Sequence, residues 1–191
     1  GQEDAAIPAY RSALALEPNH GEAHFELARL LEKKGHASDA AAHYNAASLH
    51  RPNWPEPHLY RGALHEARGE FEDARQAYDR AISLGAPEGF ALRRDLQVPI
   101  IPVSKTSYAE ARASYLHALD AHLADPPSIG NPIREAGGNR FFLAYHGLDD
   151  RPFQEKQARL MRTGCPSLSW TAPHCRYATP LGSPRRIGIA S

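Results

Sequence analysis

The chain has 191 residues, of which 42% are hydrophobic and 23% charged, and its 22 basic and 22 acidic residues give a formal net charge of zero. This composition is typical of a globular protein of one or two domains, and the balanced charge excludes a broad electrostatic grip on nucleic acid or an anionic membrane. No apolar run reaches the roughly 20 residues of a membrane helix, and the first residues are polar without a secretory signal. Two cysteines are too few for a disulfide framework. We therefore expect a cytoplasmic protein.

The first half of the chain repeats with a period of 34 residues. Glycine permits the turn between two helices, small alanines let the helices approach closely, tyrosine fills the space between them, and proline ends the unit. A helix-turn-helix unit of this length and pattern is typical of the tetratricopeptide repeat (TPR). The recurring columns are Gly1, Gly35 and Gly69; Ala6, Ala40 and Ala74; Tyr10, Tyr44 and Tyr78; Ala13, Ala47 and Ala81; and Pro18 with Pro52.

The register predicts two complete repeats, 21–54 and 55–88, each made of two helices. Residues 1–20 hold only the second helix of an earlier repeat, so we expect the sequence to be a piece of a longer protein. Five antiparallel helices should stack as a right-handed solenoid, with Tyr44 and Tyr78 in equivalent buried positions. The helices of the complete repeats are predicted near 22–34, 38–50, 56–68 and 72–84.

Units of this kind usually bind a protein partner in the concave groove that their first helices line. The predicted groove positions are of mixed character and include no basic cluster suited to a peptide carboxylate. A scaffold whose face is merely solvated therefore stays open as the alternative. The groove positions are Glu22, Phe25, Glu26, Arg29, Glu56, Leu59, Tyr60 and Ala63.

The pattern changes near residue 88, and residues 89–184 are predicted to form a helical linker region. Its first part holds a short helix within 89–97 and an extended connector at 98–103, which two prolines interrupt. Ser107 and Glu110 form a capping box that should open the next helix. The apolar stripe of that helix is Tyr108, Ala111, Tyr115, Leu119 and Leu123.

The rest of the linker region contains a loop over 128–140 and then the apolar run 141–145, which predicts a buried helix. A further helix should end near Arg162, before an irregular segment that reaches residue 184. The last residues, 185–191, are basic and then apolar, as in the first strand of an α/β domain. The predicted fold class is thus all-α, ending at the first strand of a domain that this sequence does not contain.

Eleven histidines raise the question of a metal site. His20 and His24 bracket a glutamate as in the zinc motif H-E-x-x-H, but that glutamate is one place late and the stretch falls on a turn. His36, His43 and His50 recur every seven residues and are predicted to lie on a solvated helix face, too far apart to share an ion.

The two cysteines give no stronger metal signal. Cys165, His174 and Cys175 lack an obvious fourth ligand and the paired spacing of a structural zinc site. We therefore predict no metal site and expect the cysteines to be buried or part of the linker.

Three strings in the second half are more distinctive: NRFFLAYHGLDDRPFQEKQARL (139–160), CPSLSWTAPHC (165–175) and RRIGIAS (185–191). They closely resemble bacterial TPR-linked glycosyltransferases of the SPINDLY type, in glycosyltransferase family 41, and residues 96–127 resemble the connector of those enzymes. The resemblance covers essentially the whole chain. It implies that TPR repeats lead through a helical linker into two Rossmann-like lobes in the GT-B arrangement, the first lobe opening with 185–191.

The resemblance also implies a function for the parent protein: transfer of a sugar from UDP-N-acetylglucosamine or UDP-glucose to a protein acceptor held in the TPR groove. Donor-binding and catalytic residues would lie in the later lobes, so no catalytic residue and no cofactor is assigned to this chain. Eukaryotic relatives line the groove with asparagines, where this sequence has Glu26 and Tyr60, which argues against an asparagine ladder. The alternative from another class is a non-catalytic TPR adaptor that binds a partner peptide.

Tyr145 and His146 are the local candidates for a place near the acceptor. A histidine at the end of a buried helix suits an interface between the linker and a catalytic domain. The alternative is a helix end at which the imidazole bonds the last carbonyls and Gly147 caps the helix.

Overall fold

A computed structural model describes residues 2–98, 105–137 and 149–169 of the chain. Within these ranges the protein is all-helical and contains no strand. None of the helices found there is long and apolar enough to cross a membrane. The helices are α1 (Gln2–Leu16), α2 (Gly21–Lys33), α3 (Ala37–His50), α4 (Pro55–Arg68), α5 (Phe71–Ser83), α6 (Phe90–Asp95), α7 (Lys105–Ala124), α8 (Pro132–Glu135) and α9 (Arg151–Gly164), followed by a 3-10 helix (Pro166–Ser169).

The four helices of the two complete repeats begin and end within one residue of the predicted positions. The turns inside the repeats use Gly35 and Gly69, whose φ angles of 82° and 75° lie in the left-handed region that favours glycine. At the second turn the N–H of Glu70 donates to the carbonyl of His65, which closes the end of α4. The recurring glycines are therefore explained by the geometry of the turns.

Tyr44 and Tyr78 occupy equivalent sites, as predicted. Both side chains are fully buried. The Tyr44 hydroxyl donates to Glu32 Oε2 at 2.7 Å, and the Tyr78 hydroxyl donates to Glu66 Oε2 at 2.8 Å. Each tyrosine thus fills the space between the two helices of its unit and satisfies its polar end at the edge.

Small residues allow this close approach. Ala40, Ala47, Ala74 and Ala81 are fully buried. At Gly62 an added Cβ atom would lie 2.8 Å from Tyr78 Cε1, so even a methyl group requires the ring to move.

We expect Ala40→Leu and Ala74→Leu each to lower the free energy of unfolding by about 1–3 kcal/mol, because each position is fully buried between two helices and the larger side chain overpacks the contact. Ala42→Leu is the matched control, since Ala42 lies on the exposed side of α3 and should change stability by no more than ~0.5 kcal/mol. Urea unfolding measures all three variants. Equal stability of Ala40→Leu and Ala42→Leu would contradict the packing role.

A second core lies beyond the repeats, where α7 packs against α9. Tyr115 and Phe153 stack with ring centroids 5.9 Å apart, and Leu119 and Leu160 are fully buried beside them. The predicted packing of the segment 139–162 on the linker helix is confirmed for α9. Residues 139–148 lie outside the described ranges.

Two details of the linker region differ from the sequence prediction. The helix predicted to open at Ser107 begins two residues earlier, at Lys105. The predicted loop 128–140 contains α8, in which the Asn131 side chain accepts the N–H of Arg134 and Pro132 occupies the first turn. An asparagine followed by proline is a helix-start signal that outweighed the loop-like composition.

Several predicted features fall outside the described ranges. These features are most of the connector 98–103, the apolar run 141–145, most of the irregular segment up to residue 184, and the strand 185–191. They stay predictions.

Candidate functional site

The predicted groove positions divide into an exposed set and a buried set. Glu22 and Arg29 are exposed, and Glu26, Glu56, Tyr60 and Ala63 are partly exposed, on neighbouring helices α2 and α4. We call the surface formed by Glu22, Glu26, Arg29, Glu56 and Tyr60 the α2–α4 face.

Phe25 and Leu59 are corrections to the predicted groove. Their exposed fractions are 6% and 5%, so neither presents its side chain to a partner. Each lies next to a groove position in the sequence. Because one step along a helix turns a side chain by about 100°, the neighbouring residue can face the groove while Phe25 or Leu59 faces the core. Phe25 packs instead on Tyr44 and Trp54, with ring centroids 5.7 and 4.5 Å away.

Tyr60 is the anchor of the α2–α4 face. Its ring meets Phe25 edge-on at 5.3 Å and lies 5.5 Å from the ring of Tyr44, so it joins the second repeat to the first. A half-buried aromatic ring held by two others loses little conformational entropy when a partner binds. Tyr60 is therefore the position on this surface best suited to contribute binding energy.

Three of the charged groups of the α2–α4 face have ion-pair partners, one pair lying within the face and one reaching outside it. Arg29 Nη1 donates to both carboxylate oxygens of Glu26, at 3.0 and 3.2 Å. Glu22 pairs with Arg51, whose guanidinium also lies 4.5 Å from the centre of the Trp54 ring. The surface thus offers charges of both signs around an aromatic centre, which agrees with the predicted absence of a basic clamp.

Arg51 and Trp54 border the α2–α4 face and are absent from the predicted groove positions. Together with Pro52 and Asn53 they line a surface cavity of about 280 Å³ at the turn between α3 and α4. Their position in the sequence could have indicated them, because Arg51 precedes and Trp54 follows closely after Pro52, the proline that ends the first repeat.

Histidines gather on the other side of α2. The predicted solvated row on α3 is corrected for His43 and His50, because His24 of α2 inserts between them, with ring centroids 5.1 and 5.8 Å away. His24 Nε2 lies 3.0 Å from the carbonyl oxygen of Pro18, and its Nδ1 lies 2.9 Å from His43 Nδ1. With both rings neutral, the carbonyl can only accept, which puts the His24 proton on Nε2 and makes His43 the donor between the two rings. Burial, aided by His24 and Arg11, lowers the pKa of His43.

Asp95, at the end of α6, joins that helix to the linker helix α7. It accepts from Arg94 at 2.7 Å and contacts His122 Nε2 of α7 at 3.0 Å. Burial alone favours the neutral acid, but the hydrogen bonds from Arg94 and His122 outweigh it and hold the pKa of Asp95 well below its usual range. The orientation of α6 against α7 is therefore fixed by charge as well as by apolar contact.

The remaining candidates are placed as follows. Cys165 is buried, as expected, and its Sγ lies 3.1 Å from Ser167 Oγ. Tyr145, His146 and Cys175 lie outside the part of the chain that the structure describes.

Comparison with known proteins identifies the repeats. A sequence model of the tetratricopeptide repeat family matches residues 1–64. No curated protein sequence matches the chain significantly. Among solved structures, two crystal structures of the protein MamA are similar in fold, each at 18% sequence identity. The first has a TM-score of 0.57, and the match covers 89% of this chain and 93% of the MamA chain. The second has a TM-score of 0.56, and the match covers 90% of this chain and 88% of the MamA chain. The prediction of an all-α, TPR-like helical solenoid is thereby confirmed.

Proposed function

We propose that the chain binds a protein partner through the α2–α4 face. The proposal is carried by one observation: Tyr60 is held half-buried against Phe25 and Tyr44, with exposed charges of both signs around it. The match of residues 1–64 to the tetratricopeptide repeat supports it, because such repeats commonly serve as scaffolds for peptide recognition.

The chemistry of the face suggests the kind of segment that fits. Tyr60 offers an apolar ring and a hydroxyl, Glu56 can accept from a basic side chain, and Arg29 can donate to a carboxylate or a backbone carbonyl. The partner is therefore a peptide segment of mixed charge with an apolar residue at its centre.

Selection of a peptide display library on the immobilised chain tests this proposal. We expect enriched peptides to bind the double variant Tyr60→Ala, Arg29→Glu at least tenfold more weakly than the wild type, because the aromatic anchor and the cation are both lost. Arg80→Glu on the exposed side of α5 is the matched control and should bind as the wild type does. If the enriched peptides bound the double variant as tightly as the Arg80→Glu control, the binding surface would lie elsewhere.

We further propose that this partner is the acceptor of a nucleotide-sugar-dependent protein glycosyltransferase of which the chain forms the N-terminal part. The strings at 139–160, 165–175 and 185–191 support this reading by their resemblance to SPINDLY-type enzymes. In such chemistry a base takes the proton of the acceptor hydroxyl, the oxygen bonds to the anomeric carbon, and UDP leaves. We place that machinery, and the UDP-sugar site, in a following domain.

Calorimetry with UDP-N-acetylglucosamine and UDP-glucose distinguishes the enzyme from a non-catalytic adaptor. The 191-residue chain should bind neither, because nucleotide sites of α/β domains form at the ends of several parallel strands and this sequence supplies at most one. A chain extended through the reading frame after Ser191 should bind one of them. Micromolar binding to the 191-residue chain would mean that we have misplaced the donor site, and a stop codon soon after Ser191 would favour the adaptor.

A further inference from the structure

The turn between α4 and α5 brings three side chains of metal-ligating type together. His65 comes from the last turn of α4, Glu70 immediately precedes α5, and Asp73 lies in the first turn of α5. Within the ranges that the structure describes, this is the one place where ligand atoms of three such residues all lie within 4.8 Å of one another. The left-handed conformation of Gly69 makes the turn tight enough for this approach.

The direction of the Glu70 side chain is a second indication. Glu70 stands at the N-cap position of α5, where an acidic side chain ordinarily accepts from the first amides of its helix. Here it makes no such hydrogen bond, and its Oε2 lies 2.6 Å from His65 Nδ1 instead. The carboxylate thus points at the imidazole and not at the first amides of α5.

We propose that His65, Glu70 and Asp73 form a binding site for a divalent transition-metal ion, with Zn²⁺ as the ion of choice. One imidazole nitrogen and two carboxylate oxygens suit zinc, whereas Ca²⁺ and Mg²⁺ prefer oxygen ligands alone. Two carboxylates balance the charge of the ion. Because Glu70 and Asp73 are exposed, solvent completes the coordination and the ion exchanges freely.

Zinc would replace the proton between His65 and Glu70. In the metal-free state His65 donates its Nδ1 proton to Glu70, so binding moves that proton to Nε2 and frees Nδ1 for the ion. Binding would therefore link the end of α4 to the start of α5 through the ion.

The first repeat provides a control within the same molecule. The residues 34 positions earlier are Leu31, His36 and Asp39, so the apolar Leu31 replaces the imidazole at the centre of the site. The corresponding turn of the first repeat keeps a histidine and a carboxylate but lacks the three-ligand set. The proposal thus predicts zinc binding at one turn and not at the other.

Zinc titration of the full chain by calorimetry, with amide NMR spectra, tests the site. We expect zinc to shift the amide signals of Gly69 and Glu70, and His65→Ala to weaken binding at least tenfold, whereas the control His36→Ala, Asp39→Asn binds as the wild type does. Zinc at about a hundredfold excess over Kd should raise the Tm of the wild type by roughly 5–10 °C.

Asp73→Asn serves as a second variant because Asp73 is exposed and its replacement should not prevent folding. It should also weaken zinc binding at least tenfold. Unchanged affinity in both His65→Ala and Asp73→Asn, or zinc-induced shifts that bypass Gly69 and Glu70, would overturn the proposal.

Discussion

Replacing Asp150 by alanine is expected to lower the free energy of unfolding by about 3–5 kcal/mol. Asp150 accepts from Arg112 Nη1 where the start of α9 meets α7, and the two side chains are 12% and 10% exposed. The Arg112 guanidinium also lies 4.1 Å from the centre of the Phe153 ring, inside the second core. The substitution breaks a buried ion pair, and the Asp149 carbonyl to which Arg112 also donates at 3.3 Å carries no full negative charge that could replace the carboxylate.

A second ion pair across the same two helices supplies the control. Lys156 of α9 pairs with Asp120 of α7, and the Asp120 side chain is 54% exposed. Because water screens that pair, Asp120→Ala should cost no more than ~1 kcal/mol. Denaturant unfolding followed by circular dichroism measures both variants under the same conditions.

A double variant separates the buried charge from the packing. Arg112→Met with Asp150→Leu removes both charges together, so it should be less destabilised than Asp150→Ala alone. If Asp150→Ala cost no more than Asp120→Ala, burial of the Arg112–Asp150 pair would not have the predicted effect on stability.

The second large effect is a loss of stability in weak acid that depends on His58. Burial, together with the positive charges of Arg61 and Arg80, lowers the pKa of His58 to about 4. An unfolded histidine titrates near pH ~6.5, so between about pH 6.5 and about pH 4 the unfolded state binds more protons than the folded state. The free energy of unfolding therefore falls as the pH decreases through this window, by on the order of 2–3 kcal/mol in total.

The measurement compares urea unfolding of the wild type and His58→Gln from pH 7 to pH 4. The variant at pH 7 reports the packing cost of the substitution, and the difference between the two pH profiles isolates the titration. The stability of the variant should fall less steeply with acid. Parallel profiles, or an NMR titration of the His58 ring centred near pH 6.5, would contradict the assignment.

The sequence predicted the repeats well because their signals are local and recur. Glycine at each turn and tyrosine between each pair of helices obey steric rules that hold in every unit, so the helices α2 to α5 follow from the register. α8 was missed because four residues are too few to show a helical period. Its Asn131–Pro132 start was the only local sign.

The candidate site was predicted less completely, since it depends on how two helices are rotated against each other. The register places Phe25 and Leu59 on the first helices but does not say which side of each helix meets the next one. The insertion of His24 between His43 and His50 is a contact between helices that the spacing along α3 cannot reveal. The same holds for His65 and Glu70, which only the tight turn at Gly69 brings together.

The contact between Tyr44 and Tyr60 means that the two repeat units are not interchangeable in sequence order. Each unit carries a tyrosine on its second helix, but the residue that meets the preceding unit differs: Tyr60 in the second unit corresponds to Glu26 in the first. If the units exchanged places, Tyr78 would face Glu26, and a carboxylate would take the position of an aromatic ring. Although the two units share one architecture, their contact surfaces differ, and an array with the units exchanged would lose this aromatic contact.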